Sequence, residues 1–266
     1  MPSYKIQVIT LDQHAESVRE LIGNLPTLSV GAEVFNAIDG RKALPSLQDD
    51  EILDQTLAIK ERFIPLTNTE VACYLSHLRA IKQAYRDGVE KLCLLEDDVA
   101  VEDNFAACLN KIFALPDEYQ FVRLMGLKRH KYKVLEPIDP QTSLVRPVKG
   151  LCGAQGYVIN RQGMEIVIQK GSRICEPIDK FYDHYWEWGL KSFAVIPHII
   201  WEKPSSSTIA KESRVKAARG FWLKLRFHYL KIARSFRRHW YILCHWSEFR
   251  PTTKPAKYLG RTPRIH

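Results

Sequence analysis

The chain has 266 residues, 45% hydrophobic and 11% aromatic, which excludes a disordered polypeptide and leaves room for one large domain, or a domain with an appendage. Its net charge of +9 is uneven: residues 211–266 hold 15 of the 39 Lys and Arg but 2 of the 30 Asp and Glu, so this tail carries +13 and the first 210 residues −4. No apolar run approaches the roughly 20 residues that span a bilayer.

The opening MPSYKIQVITLDQ lacks the charged start and long apolar centre of a signal peptide, and YKIQVITL (4–11) reads as a first strand. AESVRELIGNL (15–25) places Val18, Leu21, Ile22 and Leu25 on one helical face, and AEVFNAIDG (32–40) reads as a strand ending in an Asp-Gly turn. A strand, a helix and a strand at this spacing predict a βαβ opening and a parallel sheet. LTNTEVACYLSHLRAIKQAYRDG (66–88) predicts a well-punctuated helix: Thr67 and Glu70 have capping-box spacing, Gly88 supplies the stop, and Val71, Tyr74, Leu75, Leu78, Ile81 and Tyr85 form the apolar stripe.

The buried strand that follows, KLCLLE, runs into Glu96-Asp97-Asp98. Adjacent carboxylates repel unless water reaches them or a cation lies among them. If the strand continues through them, Glu96 and Asp98 share a face and Asp97 takes the other. Two carboxylates so placed suit a hard cation such as Mn²⁺ or Mg²⁺, with phosphate oxygens completing its shell. A solvated strand end is the plain alternative.

A helix is expected from Asn104 to before Pro116, then a strand over 119–126, an irregular loop or short hairpin over 128–150, and a glycine-rich turn, strand and helix over 151–171. Residues 175–202 combine an aromatic, acidic helix with the strand FAVIPHII. The six cysteines (73, 93, 108, 152, 175 and 244) form no CxxC pair and sit mostly among apolar neighbours, so a reducing, cytoplasmic setting is expected and a zinc site is not.

Taken in order, YKIQVITL, Arg19, NAIDG, LTNTEVACYLSHLRAI, KLCLLEDDV, GAQGYVINRQG, EPIDKFYD and IPHIIWEKPSSSTI resemble glycosyltransferase family 25 over roughly residues 4–210. These are sugar transferases of bacterial lipooligosaccharide synthesis, related to collagen galactosyltransferases. The resemblance implies an α/β, glycosyltransferase A-type nucleotide-binding fold with a mostly parallel central sheet. It also implies a UDP-sugar donor, usually UDP-galactose, and inversion at the anomeric carbon. By position, Glu96, Asp97 and Asp98 fall on the family's acidic metal and nucleotide motif, with Asp98 the direct metal ligand. Thr10 and Asp39 fall at strand ends facing the uridine, Ser76 and His77 on the Ser-His of the family's helix, and Asp179 on its Pro-x-Asp. Thr10 stands where the family more often has Asn, and Glu-Asp-Asp is not a strict Asp-x-Asp.

Each candidate has a plainer reading beside it. Glu70 is explained by helix capping, and Arg19 is either a phosphate contact or a surface charge. His77 is either a hydrogen-bonded core imidazole or a donor to phosphate or sugar. Asp179 and Asp183 share a helical face, as acids stabilised by the helix dipole or as a catalytic base; an inverting transfer needs such a carboxylate to take the acceptor's proton, with Asp179 preferred. The aromatics Phe181, Tyr182, Tyr185, Trp186 and Trp188 either pack in the core or form a platform for a sugar. His198 is a candidate third metal ligand. Ser206 and Ser207, beside Ser205, are candidate donors to the diphosphate or part of a linker.

The organisation expected is a catalytic domain over 1–210 and a basic amphipathic tail over 211–266. In the tail, Trp222, Leu225, Tyr229, Ile232, Phe236, Trp240 and Leu243 recur every three or four residues, while Lys224, Lys231, Arg234, Arg237 and Arg238 lie on the other side and Leu223, Phe227 and Leu230 intrude there. This pattern suits an anionic membrane surface, and the same stripe could dock on the domain or pair two copies into a homodimer. Together with the tail, the family resemblance implies transfer of a hexose, galactose first, from UDP to a glycolipid acceptor of the lipooligosaccharide core, on the cytoplasmic face of a bacterial inner membrane. The alternatives are a nucleic-acid binder using the tail, which leaves the acidic triplet unexplained, and a transferase-like domain without activity.

Overall fold

The computed structural model describes residues 3–23, 25, 31–203 and 221–250. Strand β1 (Tyr4–Thr10), helix α1 (Glu16–Gly23) and strand β2 (Ala32–Asn36) form the opening unit, and β3 (Ile52–Leu53) and α2 (Gln55–Arg62) lead into α3 (Asn68–Arg86). Then come β4 (Lys91–Glu96), β5 (Val99–Val101), α4 (Phe105–Phe113), β6 (Phe121–Arg123), β7 (Tyr132–Pro137) and β8 (Ser143–Pro147). They are followed by β9 (Gly156–Asn160), α5 (Arg161–Gly171), β10 (Arg173–Ile174), α6 (Ile178–Asp183), α7 (Tyr185–Trp188), β11 (Ser192–Ile196) and β12 (Ile200–Glu202). The tail contributes α8 (Phe221–Cys244) and α9 (Trp246–Phe249).

The central sheet has the order β2-β1-β4-β9-β6-β11-β8-β7. Its β1–β2, β1–β4 and β6–β11 pairs are parallel, whereas β9 is antiparallel to both of its neighbours and so is β8. Six of the eight strands thus point one way, the mostly parallel α/β arrangement that the βαβ opening predicts, with β9 and β8 reversed.

Alternation along β4 divides the core in two. Leu92 and Leu94 face a layer built on α3, α5 and α6, while Cys93 and Leu95 face one built on α1 and α4. Helix α3 is buried along most of its length and begins with the capping box that Thr67 and Glu70 form. Gly40 lies against its first turn, where an added Cβ would come within 2.3 Å of the Asn68 carbonyl oxygen.

Several expectations are modified. Strand β2 stops at Asn36, so Ala37 to Gly40 form a loop rather than the strand's end. Of the two readings for residues 128–150 the hairpin is the one found, bulged and forming the outer edge of the sheet. The single helix expected after Cys175 is two short ones, α6 and α7, meeting at His184 and closed by left-handed Gly189. Strand β3 and helix α2 belong to a stretch where the sequence shows no strong periodicity.

The tail packs on the body through a mixed face that includes Phe227, Arg234 and the buried Ile242. Arg234 of α8 bonds Glu61 of α2 and Glu187 of α7, both at 2.9 Å, and Phe227 packs at a tilt against Phe63 with ring centroids 4.2 Å apart. Helix α9 buries Phe249 against Arg146, whose guanidinium lies between the Phe193 and Phe249 rings at 4.7 and 4.6 Å. The boundary expected at 210/211 lies outside the described residues. Among the described residues no helix is long and apolar enough to cross a membrane.

Candidate active site

A cleft of about 1300 Å³ opens at the carboxyl ends of β1 and β4. This is where an open α/β sheet offers space for a ligand, because its helices cover the faces and leave that edge clear. The sequence runs β4 as far as Glu96 and then turns tightly at Asp97-Asp98 before β5. The strand does not continue through the triplet, so strict alternation fails there: all three carboxylates line the cleft.

Each of the three has different company. Thr10 at the end of β1 donates its hydroxyl to Asp97 Oδ2 at 2.5 Å. Glu96 Oε1 lies 3.2 Å from His77 Nε2, whose Nδ1 is 3.0 Å from the Tyr157 hydroxyl, which in turn meets the Tyr182 hydroxyl at 2.8 Å. A buried chain from β9 and α6 thereby fixes the imidazole that meets Glu96. Asp98 has one carboxylate oxygen, Oδ1, buried without a hydrogen-bond partner. Burial, then the charges of Glu96, Glu202 and Asp97, push its carboxyl up to about 7.

Glu202 joins the group because β12 pairs with β5 and the Lys203 amide donates to the Asp98 carbonyl at 2.7 Å. Burial and Glu96 raise its carboxyl as well. The sequence signal for Glu202 was only an acid closing a short strand. Cys73 also enters, one helical turn before His77 on α3, so that Cys73, His77 and Glu96 each bring a ligand atom within 4.8 Å of the others. Burial and the surrounding carboxylates hold the Cys73 thiol well above its ordinary range, leaving it protonated and a poor ligand for a hard cation.

The donor set fits a divalent cation bound through oxygen. Carboxylates converge, one buried oxygen is unpartnered, and the upward displacement of Asp98 reflects burial and then the repulsion of its neighbours, both of which a bound cation would offset.

The other candidates divide clearly. Asp39 lines the cleft, with Arg41 gripping its carboxylate at 2.6 and 2.9 Å and holding it down to about 2. Ser76 lines it too, accepting from the Ile38 amide at 2.8 Å and so tying the 37–40 loop to α3. Asp179 lines it from the first turn of α6, its Oδ2 3.6 Å from Lys180 Nζ.

Asp183 does not line the cleft. Its Oδ1 accepts from Arg123 at 2.9 Å and from the Cys152 amide at 3.1 Å, and Arg123 with Lys180 lowers its carboxyl despite burial. That carboxylate braces the Gly150–Cys152 turn against β6, which removes it as a candidate base. Arg19 is exposed on α1 away from the cleft; Ser17 is the α1 residue that lines it. His198 is buried in the β11–β12 turn, outside the lining, with its Nε2 unpartnered. Ser206 and Ser207 lie outside the described residues.

None of the aromatics from Phe181 to Trp188 lines the cleft: Phe181, Tyr182 and Tyr185 are buried in the core. The aromatic that does is Phe227 of the tail, with Lys231, Arg234, Arg237 and Arg238 beside it. An acidic floor thus faces a wall built largely of cations, which the reading of the tail as a separate appendage did not anticipate.

The chain is 27% identical over 187 residues to the lipooligosaccharide biosynthesis protein lic2B of Haemophilus influenzae, covering 65% of this chain and 63% of that one. It is 25% identical over 219 residues to procollagen galactosyltransferase 2 of Homo sapiens, covering 74% of this chain and 34% of the relative. The chain therefore spans about a third of the human relative and less than two thirds of the bacterial one. Some matching relatives are named inactive family members. Among solved structures, a Drosophila beta-1,4-galactosyltransferase 7 mutant in complex with manganese, UDP-Gal and xylobiose aligns at 9% identity and a TM-score of 0.39, over 82% of this chain and 71% of that one. The model for glycosyltransferase family 25 (LPS biosynthesis protein) matches residues 4–182, a span that takes in β1, α3, the acidic turn and Asp179, and the chain belongs to that family.

Proposed function

We propose that the chain is an inverting hexosyltransferase that moves galactose from UDP-galactose to a sugar of a lipooligosaccharide core. The observation that carries this is the carboxylate group at the end of β4, where Asp98 keeps a buried oxygen unpartnered at the floor of a sugar-nucleotide-sized cleft. Support for the sugar and the acceptor comes from what the relatives are named for. Asp98, with Glu96 and Asp97 beside it, would hold Mn²⁺ or Mg²⁺, and such an ion neutralises charge on a departing diphosphate. Thr10 fixes Asp97, and the Tyr182–Tyr157–His77 chain fixes Glu96, so both carboxylates stay in place without rearrangement.

Asp179 is the base in this reading. It lines the cleft, with Lys180 Nζ 3.6 Å from its Oδ2, where a carboxylate can take the proton of the attacking hydroxyl. Asp39 and the 37–40 loop lie beside β1, where the base of the nucleotide would rest.

The test is UDP release from UDP-galactose with Mn²⁺ and galactose-trimmed lipooligosaccharide. Asp179→Asn should lower kcat by about 10²-fold or more with little change in UDP affinity. Unchanged turnover in that variant would place the base elsewhere. Binding of UDP-galactose with no turnover on any lipooligosaccharide would favour the second reading, a transferase-like binding domain, which the inactive relatives support.

A further inference from the structure

Helix α8 docks through Phe227, Arg234, Arg238 and Ile242, and this leaves its apolar stripe outward. Leu225, Tyr229, Ile232, Phe236, Trp240 and Leu243 are between 52% and 69% exposed, at successive spacings of four, three, four, four and three residues. Such spacings keep side chains on one helical face, centred roughly half a turn from Phe227 and Arg234, which hold the helix to the body. Among the described residues nothing covers this stripe. Six large apolar side chains in a row exceed the scattered exposure ordinary for a soluble surface.

We propose that this face of α8 lies in the interface of an anionic lipid bilayer. Charge selects this occupant. The 24 residues of α8 contain Lys, Arg and His but no Asp or Glu, and Arg226 stands exposed on the flank of the stripe. An anionic leaflet attracts such a helix, whereas a second copy would bring another +13 tail against the first. The stripe's composition agrees. Tyr and Trp have an apolar body and a polar tip suited to the headgroup level, while Leu, Ile and Phe enter the acyl boundary below.

The opposite side of α8 is a wall of the cleft, through Phe227, Lys231 and Arg238. Docking would hold that wall about one helix diameter, roughly 10 Å, from the lipid surface. A sugar on a lipid anchor can reach that height, so the arrangement serves a lipid-linked acceptor. The docking itself stands whether or not the chain transfers sugar.

Flotation of the full chain with vesicles tests this, comparing pure phosphatidylcholine with a mixture containing roughly a quarter phosphatidylglycerol. Binding should be at least about tenfold stronger to the anionic vesicles, should weaken in high salt, and should shift tryptophan emission to the blue. The combined variant Tyr229→Ser, Phe236→Ser, Trp240→Ser should lose at least about tenfold in binding while keeping its melting temperature and UDP affinity. Ile232→Glu, a single change on the same face, should act in the same direction. Equal binding to both vesicles, or unchanged binding by the variants, overturns the proposal. So does a wild-type dimer in sedimentation velocity that the combined variant converts to monomer, since the stripe would then belong to a second copy.

Discussion

Burial moves two side chains of this protein in opposite directions, raising the Asp98 carboxyl to about 7 and lowering the His198 imidazole to about 4. In each case the charged form is penalised, but only Asp98 stands where a ligand could supply the opposite charge. His198 has no such neighbour and acts on stability instead. Its ordinary value is 6.5, so between about pH 6.5 and 4 the unfolded chain takes up a proton that the folded chain refuses. Its contribution to stability is therefore complete above 6.5, falls as the pH drops, and levels off below about 4, by roughly 3 kcal/mol at most. Urea unfolding at pH 7 and pH 5 should show a smaller loss of stability in His198→Leu than in the wild type; equal losses would contradict this. Pairings at this scale were hard to foresee from sequence, because they join distant positions. Thr10 and Asp97 are 87 residues apart, and the Pro-x-Asp block that set Asp179 ahead of Asp183 gave no sign that Arg123 holds the latter.

At the scale of elements, helix punctuation was legible. Thr67 and Glu70 predict the start of α3, and the capping box is present. The periodicity of the tail was legible too, but not which face it would bury. Apolar faces usually turn inward; here Arg234 finds Glu61 and Glu187, and Glu61 lies on α2, an element with little amphipathic signal. Arg234 is the latch in this packing. Arg234→Ala should speed hydrogen exchange across 225–243 by roughly tenfold, equivalent to about 1.4 kcal/mol of local opening, while exchange in α3 stays unchanged. Unaltered protection of α8 would show that Phe227 and the α9 contacts hold the helix without the ion pairs. The turn at Asp97-Asp98 is a similar case: the acids were visible, but the break in the strand that lets all three line the cleft was not.

Across the whole molecule, the βαβ opening and the acid-ended strand were enough to anticipate an α/β sheet, and a cleft lies at its carboxyl edge. The reversal of β9 between β4 and β6 was not, since it depends on which distant edges meet rather than on the pattern within any strand. Nor was the polarity of the cleft, where carboxylates from β4 and β12 face cations that the tail brings from far along the chain. That polarity suits a site handling a metal and a diphosphate at one end and an acceptor near a membrane at the other. The most direct measurement is calorimetric titration of UDP-galactose, UDP-glucose and UDP-N-acetylglucosamine into wild type and Asp98→Ala, with and without Mn²⁺. The account predicts Mn²⁺-dependent binding that favours UDP-galactose and weakens at least about tenfold in Asp98→Ala. Binding that ignores the metal, or that Asp98→Ala leaves intact, would contradict it.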